Sequence, residues 1–141
     1  MNENKKKLIY NVAMDIRRKS ESYAKKHKLN NDLCGLCASA SMALFHVLKD
    51  KHEIYDVVLM KAPTHCWVEC EGMIIDITAT QFGLPEKILF KKNSNVFFHY
   101  NYSHGKPIEK NDVEWNKWNG HGPQDVNLFE NILKIDGSEN H

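Results

Sequence analysis

The sequence predicts an α+β domain in which helices pack on an antiparallel sheet. Two segments before residue 50 carry apolar residues at helical spacing, and the segments that follow residue 53 are short and β-prone. The dipeptide Glu71-Gly72 separates two of these β-prone segments and is typical of a two-residue hairpin turn. Strands joined by so short a turn pair in antiparallel fashion.

Two helices are expected at the start of the chain. The first is predicted over residues 5–27. The second is predicted over residues 38–49, because this segment is rich in strong helix formers and contains no Gly or Pro. Asp32 or the backbone around Gly35 is the expected start, which places Cys37 in the first turn. The apolar stripes that predict the helices are Leu8, Ile9, Val12, Ile16 and Tyr23 in the first, and Leu36, Ala40, Ala43, Leu44, Val47 and Leu48 in the second.

Several short strands are expected after the helices. The first is predicted over residues 54–61 and ends before Pro63, which cannot donate a hydrogen bond in a ladder. The hairpin follows, with strands over residues 65–70 and 73–78. Later candidates are strands over 88–90 and 95–102, a polar, turn-rich segment over 103–123 with a short helix at 109–118, a final helix over 127–135 and a frayed tail over 136–141.

Composition indicates one globular domain covering residues 1–141. Hydrophobic residues make up 42% and charged residues 26% of the chain, proportions that are ordinary for a soluble protein. A net charge of +1 gives no electrostatic reason to expect nucleic acid or an anionic membrane as a partner. The sequence shows no signal-peptide core and no apolar run of about 20 residues. We therefore expect a cytoplasmic protein with free thiols, or one secreted by a route that needs no such signal.

Three short stretches supply the side chains of nucleophilic acyl transfer. They are Cys34-Gly35-Leu36-Cys37, His65-Cys66-Trp67-Val68-Glu69 and Asp76-Ile77-Thr78. In such chemistry a thiolate attacks, an imidazole moves the proton and a carboxylate fixes the imidazole tautomer. Because Cys37 falls in the first turn of the predicted helix, free backbone N–H groups and the helix dipole favour its thiolate and are placed to bind an oxyanion.

The hairpin turn sets the predicted register of the strands that carry the imidazole and the carboxylate. Pairing of Cys70 with Met73 makes His65 and Asp76 diagonal cross-strand neighbours, with Cβ atoms about 7–8 Å apart or less. A histidine–carboxylate hydrogen bond is within reach at that separation. Glu69 is expected to be an exposed strand residue. Strand alternation sends His65, Trp67, Asp76 and Thr78 to one face, and Cys66, Val68, Ile75 and Ile77 to the other face, which we expect to meet the core.

These motifs resemble the papain-like cysteine peptidases and the transglutaminase-like branch of that superfamily. Cys34-Gly35-x-Cys37 at a helix start is similar to the papain-like nucleophile segment. His65-x-Trp67-x-Glu69 followed by Ile75-Asp76-Ile77-Thr78 is similar to the transglutaminase-like pair of strands. The similarity covers about residues 31–82 and implies a papain-like core. It assigns the roles of nucleophile, of general base and acid, and of orienting carboxylate to Cys37, His65 and Asp76, respectively.

The resemblance also implies roles for substrate-binding groups. A Gln six residues before the nucleophile binds the oxyanion in papain-like enzymes, and Asn31 stands at the matching position. Trp67 is expected either to shield the His65–Asp76 pair or to line the substrate cleft. The implied substrate is a protein or peptide amide, no metal or organic cofactor is required, and a partner protein is a candidate for completing the cleft. The motifs do not distinguish peptidase, deamidase and transglutaminase-like chemistry.

Two alternatives start from the same residues. Cys34, Cys37, Cys66 and Cys70 supply four thiols at spacings that a zinc-binding structural or interaction module tolerates. Against zinc, Cys66 and Cys70 are both expected on the core face of one strand. The second alternative is a binding protein that has the same fold and no activity.

Overall fold

Two helices and one five-stranded antiparallel sheet form the described fold in the computed structural model, which confirms the predicted α+β class. The structure describes residues 1–27, 37–62, 65–78, 88–91, 102, 104–108 and 132–134. Within these residues, no helix is long and apolar enough to cross a lipid bilayer. Predictions that fall outside them concern Asn31, Cys34, the strand over 95–101, the helix over 109–118 and the tail over 136–141.

Helix α1 spans Glu3–Lys26 and packs against the second helix. Its start is capped by Asn2, whose side-chain oxygen accepts the backbone N–H of Lys5 at 2.8 Å. This cap explains why the helix begins before residue 5, where the apolar pattern alone places its start. The buried apolar residues of α1 are Ile9, Val12, Ala13, Ile16 and Ala24.

Helix α2 spans Cys37–His46 and continues into a π-helical turn at Val47–Lys51. The prediction of one α-helix through residue 49 is therefore wrong in its last turn. The backbone N–H of His52 bonds the carbonyl of Val47, five residues earlier, at 3.2 Å, and this wider ring is the π-helical pattern. Glu53 follows with a left-handed φ of 55° and ends the helical segment.

The sheet is built from five short strands. They are β1 at Val58–Ala62, β2 at His65–Cys70, β3 at Met73–Ile75, β4 at Leu89–Lys91 and β5 at Lys106–Pro107. Their order is β4-β3-β2-β1-β5, and each neighbouring pair is antiparallel. β2 is the central strand, every one of its residues is buried, and α2 packs on it.

The β2–β3 hairpin has the predicted register, with Cys70 opposite Met73. Glu71 and Gly72 take positive φ values of 50° and 77°, as a two-residue type I′ turn requires. Because this turn depends on its own two residues, the pairing of the strands on either side of it follows from local sequence.

Two strands are shorter than predicted. β1 begins at Val58 and not at residue 54, because residues 55–56 form a turn. β3 ends at Ile75 and not at residue 78. At this point the carboxylate of Asp76 accepts the backbone N–H of Thr78 at 2.9 Å, a local bond that turns the chain out of the strand.

The chain after residue 101 also differs from its prediction. Tyr102 is helical and does not end a strand, and β5 forms inside the segment over 103–123 that the sequence predicts to be irregular. β5 exists because it pairs with β1, which is distant in sequence. β4 lies one residue later than the predicted strand over 88–90, and residues 132–133 are helical within the predicted final helix.

The sheet has two different faces. The helix face packs with the helices in the main hydrophobic core and includes Cys66, Val68, Cys70 and Ile75, and Ile77, just beyond the end of β3, joins the same core. Both cysteines of β2 are buried, as predicted, and both are in the thiol form. The opposite, aromatic face comprises Met60, Ala62, Trp67, Ile74 and Tyr102.

Candidate active site

A histidine–carboxylate pair lies at one end of the aromatic face. Nε2 of His65 and Oδ2 of Asp76 are 2.5 Å apart, and neither side chain is exposed to solvent. His65 is the first residue of β2, and Asp76 directly follows β3. The antiparallel register brings the two positions together, so the hydrogen bond predicted from the hairpin turn is present.

The Asp76 carboxylate accepts four hydrogen bonds. Oδ1 accepts the backbone N–H of Thr78 at 2.9 Å and the Thr78 hydroxyl at 3.2 Å. Oδ2 bonds Nε2 of His65 and accepts the hydroxyl of Tyr102, each at 2.5 Å. These bonds replace the hydration that a buried carboxylate loses. They also restrict the rotation of the carboxylate, which in turn holds the imidazole ring in one orientation.

Tyr102 is the residue of this site that the sequence interpretation missed. It is buried and lies 26 residues from Asp76, and no short motif joins the two positions. Burial first, and then the charge and hydrogen bond of Asp76, raise the pKa of Tyr102 above its usual range, so the phenol remains a donor. For Thr78 a signal does exist in the sequence, because an Asp often bonds the backbone two residues later.

Trp67 covers the histidine–carboxylate pair. Its ring stacks on that of His65 with centroids 5.7 Å apart and meets the Tyr102 ring edge-on at 5.1 Å. The indole is fully buried. The indole N–H donates to Oε2 of Glu69 at 2.9 Å. Glu69 is only 9% exposed, so the prediction of an exposed strand residue is wrong, and the buried indole supplies its partner.

The chain beyond Tyr102 passes directly over Trp67. A Cβ atom placed on Gly105 would lie 2.4 Å and 2.6 Å from two carbons of the indole ring, well inside contact distance. The next residues are anchored to the sheet, because β5 pairs with β1 and the N–H of Ile108 bonds the carbonyl of Leu59 at 2.8 Å. Only a glycine leaves room for this close approach, which keeps Trp67 against His65.

We expect Gly105→Ala to lower the free energy of unfolding by about 1–3 kcal/mol, because the added methyl group overpacks against a buried ring. Chemical denaturation measures this change. Gly72→Ala is a matched control, because its Cβ would meet nothing within 4 Å and carries only the strain of a left-handed φ of 77°. Near-ultraviolet circular dichroism should change in the Gly105 variant and stay as in the parent protein in the Gly72 variant. Equal stability of Gly105→Ala and the parent protein would contradict the close packing.

Two observations indicate the direction of α2 along the sheet. The Ser41 hydroxyl donates to the backbone carbonyl of Cys66 at 3.0 Å, near the start of β2. Phe45, farther along the helix, lines a cavity together with Cys70 at the end of β2. α2 therefore runs alongside β2 in the same direction.

The start of α2 lies at the same end of the sheet as the histidine–carboxylate pair. Cys37 is the first residue of α2 and precedes Ser41 by one helical turn, about 6 Å along the axis. His65 precedes Cys66, the residue whose carbonyl Ser41 bonds. Asn31 and Cys34 lie outside the described residues, so an oxyanion role for Asn31 stays a prediction.

A cavity of about 680 Å³ lies at the other end of β2. Its lining includes Lys49, Glu69 and Cys70, but neither His65 nor Asp76. Cys70 and His65 are five residues apart on one strand, a separation of about 16 Å. The cavity and the histidine–carboxylate pair are therefore separate features of the molecule.

The geometry of β2 is incompatible with a zinc ion held by all four cysteines. Cys66 and Cys70 lie on one strand and one face, four residues apart, so their Cα atoms are separated by about 13 Å. Two thiolates bound to one zinc ion lie within about 4.6 Å of each other, because each Zn–S bond is about 2.3 Å long. One zinc ion cannot reach both thiols of this strand.

Cys70 belongs to a different group of side chains whose atoms are of the kinds that bind metal ions. Side-chain atoms of Asp56, Cys70 and Glu71 lie within 4.8 Å of one another. Nζ of Lys5 lies 2.8 Å from a carboxylate oxygen of each acidic residue and supplies positive charge at this cluster. Burial raises the pKa of Cys70 to about 11, so its thiol stays protonated near neutral pH. The cluster is therefore an ion-paired junction between the start of α1 and two turns.

No known protein family, curated protein or solved structure matches this chain. The chemistry of the site itself is thus the basis for a function. Its described part is the His65–Asp76 pair, covered by Trp67 and held by Tyr102, at the end of the sheet where α2 begins with Cys37.

Proposed function

We propose that this protein is a cysteine-dependent acyl-transfer enzyme that acts on an amide carbonyl of a peptide or protein. Cys37 is the nucleophile, His65 the general base and acid, and Asp76 the orienting carboxylate. The observation that carries the proposal is the 2.5 Å hydrogen bond between His65 and Asp76, buried at the end of β2 where α2 begins. A helix start beside a strand-borne histidine–carboxylate pair supports a papain-like or transglutaminase-like core.

The hydrogen bonds of Asp76 define which imidazole nitrogen is the base. In the proposed mechanism Asp76 is a carboxylate, which only accepts hydrogen bonds, so Nε2 of His65 donates its N–H to Oδ2. In the neutral imidazole the lone pair then lies on Nδ1. Nδ1 is therefore the atom that takes the thiol proton of Cys37 in the proposed mechanism.

The proposed reaction passes through a thioester. The Cys37 thiolate attacks the amide carbonyl carbon, and backbone N–H groups at the start of α2, with Asn31 as a predicted further donor, bind the oxyanion. The imidazolium of His65 gives its Nδ1 proton to the nitrogen of the leaving amine, the C–N bond breaks and a thioester to Sγ remains. Water or an amine then attacks the thioester after His65 removes its proton, and the thiolate leaves.

The same thioester serves three reactions. Attack by water gives hydrolysis of a peptide bond or deamidation of a glutamine side chain, and attack by an amine gives transamidation. In the proposal, His65 and Asp76 serve all three reactions as general base and orienting group. The nucleophile that the site admits decides between hydrolysis and transamidation, and the amide that binds decides between a peptide bond and a glutamine side chain.

We expect Cys37 to be the most reactive of the four thiols, because a helix N-terminus and an adjacent imidazolium both favour the thiolate. Iodoacetamide in limiting amount near pH 7, followed by peptide mass spectrometry, should modify Cys37 before the others. Cys66 and Cys70 are buried, and the raised pKa of Cys70, about 11, leaves it protonated, so these two thiols serve as internal references. Faster modification of Cys34 would overturn the assignment of the nucleophile.

Incubation with a peptide thioester provides the matching test of acyl transfer. Mass spectrometry should find the acyl group on the peptide that contains Cys37, and Cys37→Ser should not accumulate it. A protein whose Cys37 is as slow to react as a free thiol and forms no acyl adduct would fit the alternative of a binding protein with this fold.

A further inference from the structure

One oxygen of Asp76 is shared by two donors. Oδ2 lies 2.5 Å from Nε2 of His65 and 2.5 Å from the hydroxyl of Tyr102. Thr78 bonds only the other oxygen, Oδ1. Tyr102 therefore bonds the same oxygen that faces the imidazole, and Thr78 does not.

The Tyr102 hydroxyl is held in place by the sheet. Its residue is only 3% exposed, and its ring meets Trp67 edge-on at 5.1 Å. The chain that follows is fixed by the contact of Gly105 with Trp67 and by the pairing of β5 with β1. A phenol anchored in this way presents its O–H to Asp76 with little freedom to turn away.

A second donor on a carboxylate oxygen reduces the proton affinity of that oxygen. Asp76 stabilises the imidazolium of His65 through the electron density on Oδ2, so a donor from Tyr102 weakens this stabilisation while it holds the carboxylate in position. The pKa of Tyr102 is raised by its burial and by Asp76, which keeps the proton on the phenol.

We propose that Tyr102 is a positioning residue that holds Oδ2 of Asp76 against His65 and limits how strongly Asp76 stabilises the imidazolium. This inference rests on the proposed acyl-transfer function, in which His65 must both take a proton from Cys37 and give it to the leaving amine. An imidazolium that its carboxylate stabilises too strongly would release that proton slowly.

Among the described residues, the ionisable groups around His65 come from three parts of the chain. Asp76 follows β3 and bonds Tyr102 beside the His65 ring, and Glu69 of β2 bonds the indole that stacks on that ring. β1 places the non-ionisable Ala62 opposite His65. Besides His65, Tyr102 is thus the described ionisable group that bonds the Asp76 oxygen facing Nε2.

The test is Tyr102→Phe, which keeps the ring and removes the hydroxyl. The rate of Cys37 alkylation against pH has an alkaline limb that reports loss of the imidazolium proton. We expect this limb to move to higher pH by several tenths of a unit, because Asp76 stabilises the imidazolium more strongly without the second donor. Nitrogen-15 NMR of the His65 ring should show the same upward shift, independently of any reaction at Cys37.

Two variants serve as controls. Thr78→Val removes a 3.2 Å bond to Oδ1 and should shift the limb less than Tyr102→Phe does. Tyr10→Phe, at a position 44% exposed on α1, should shift nothing. If Tyr102→Phe does not fold, 3-fluorotyrosine at position 102 is the second variant. It keeps the hydrogen bond to Asp76 but has a more acidic hydroxyl, which is a stronger donor. The alkaline limb should then move to lower pH.

The outcomes separate the two proposals. An unchanged His65 titration in Tyr102→Phe, with only a lower melting temperature, would show that Tyr102 is structural and would overturn this inference. A wild-type protein with an unreactive Cys37, combined with the expected NMR shift in Tyr102→Phe, would overturn the acyl-transfer function and leave the effect of Tyr102 on the pair intact. If neither fluorotyrosine nor Phe moves the titration, the inference fails.

Discussion

We expect His65→Ala to abolish acyl transfer, a loss on the order of 10⁴-fold or more, because no other group in the proposed mechanism moves the proton. The same change should slow alkylation of Cys37 near pH 7 by about tenfold, because a free thiol is only a few per cent thiolate at that pH. Product release from a peptide amide and the rate of iodoacetamide modification measure the two effects.

Loss of the fold must be separated from loss of the base in this experiment. His65 is fully buried and bonded to Asp76, so its replacement by Ala leaves a cavity and a buried carboxylate without this partner. We expect the free energy of unfolding to fall by about 3–5 kcal/mol. His65→Gln retains much of the volume and an N–H donor for Asp76, and we expect it to fold and to be equally inactive. His46→Ala, on the far part of α2, is the control for a histidine outside the site. Unchanged Cys37 reactivity in a folded His65→Gln protein would remove the case for a Cys–His pair.

The second large effect is expected for Asp76→Asn. An amide has one accepting oxygen, so whichever way it turns, its NH₂ group faces either the donors from Thr78 or those from His65 and Tyr102. We expect the free energy of unfolding to fall by about 1–3 kcal/mol, because buried donors lose their acceptor. The acyl-transfer rate should fall by up to about 10⁴-fold, because the imidazole is no longer held in the tautomer with its lone pair on Nδ1.

The melting temperature and the acyl-transfer rate together distinguish an Asp76 that orients His65 from one that only bonds the backbone of Thr78. If Asp76 serves only to bond the backbone of Thr78, Asp76→Asn will lower the melting temperature and leave the rate per folded molecule unchanged. Asp50→Asn is the matched control, because the Asp50 side chain is 69% exposed and pairs only with His46 among the contacts described for it. We expect the loss of rate to be smaller for Asp76→Asn than for His65→Ala, because cysteine–histidine enzymes often depend less on the third group.

Local sequence was enough to predict the part of the site that one hairpin builds. Glu71-Gly72 defines a type I′ turn, the turn sets the register, and strand alternation then puts His65 and Asp76 on one face and Cys66 on the other. Each of these steps involves residues within a few positions of one another, which is why the resulting hydrogen bond could be predicted. The first turn of α2 at Cys37 was predictable for the same reason.

The partners of that pair depend on contacts between distant segments and were decided only by the tertiary structure. Tyr102 reaches Asp76 across 26 residues, and β5 forms because β1 offers an edge at that point. Gly105 is needed because the chain crosses the ring of Trp67, which lies far away in the sequence. The hairpin pairs histidine with carboxylate and places Trp67 beside them by short-range backbone geometry, whereas Tyr102 and Gly105 are brought in by long-range packing, which leaves no periodic pattern in the sequence.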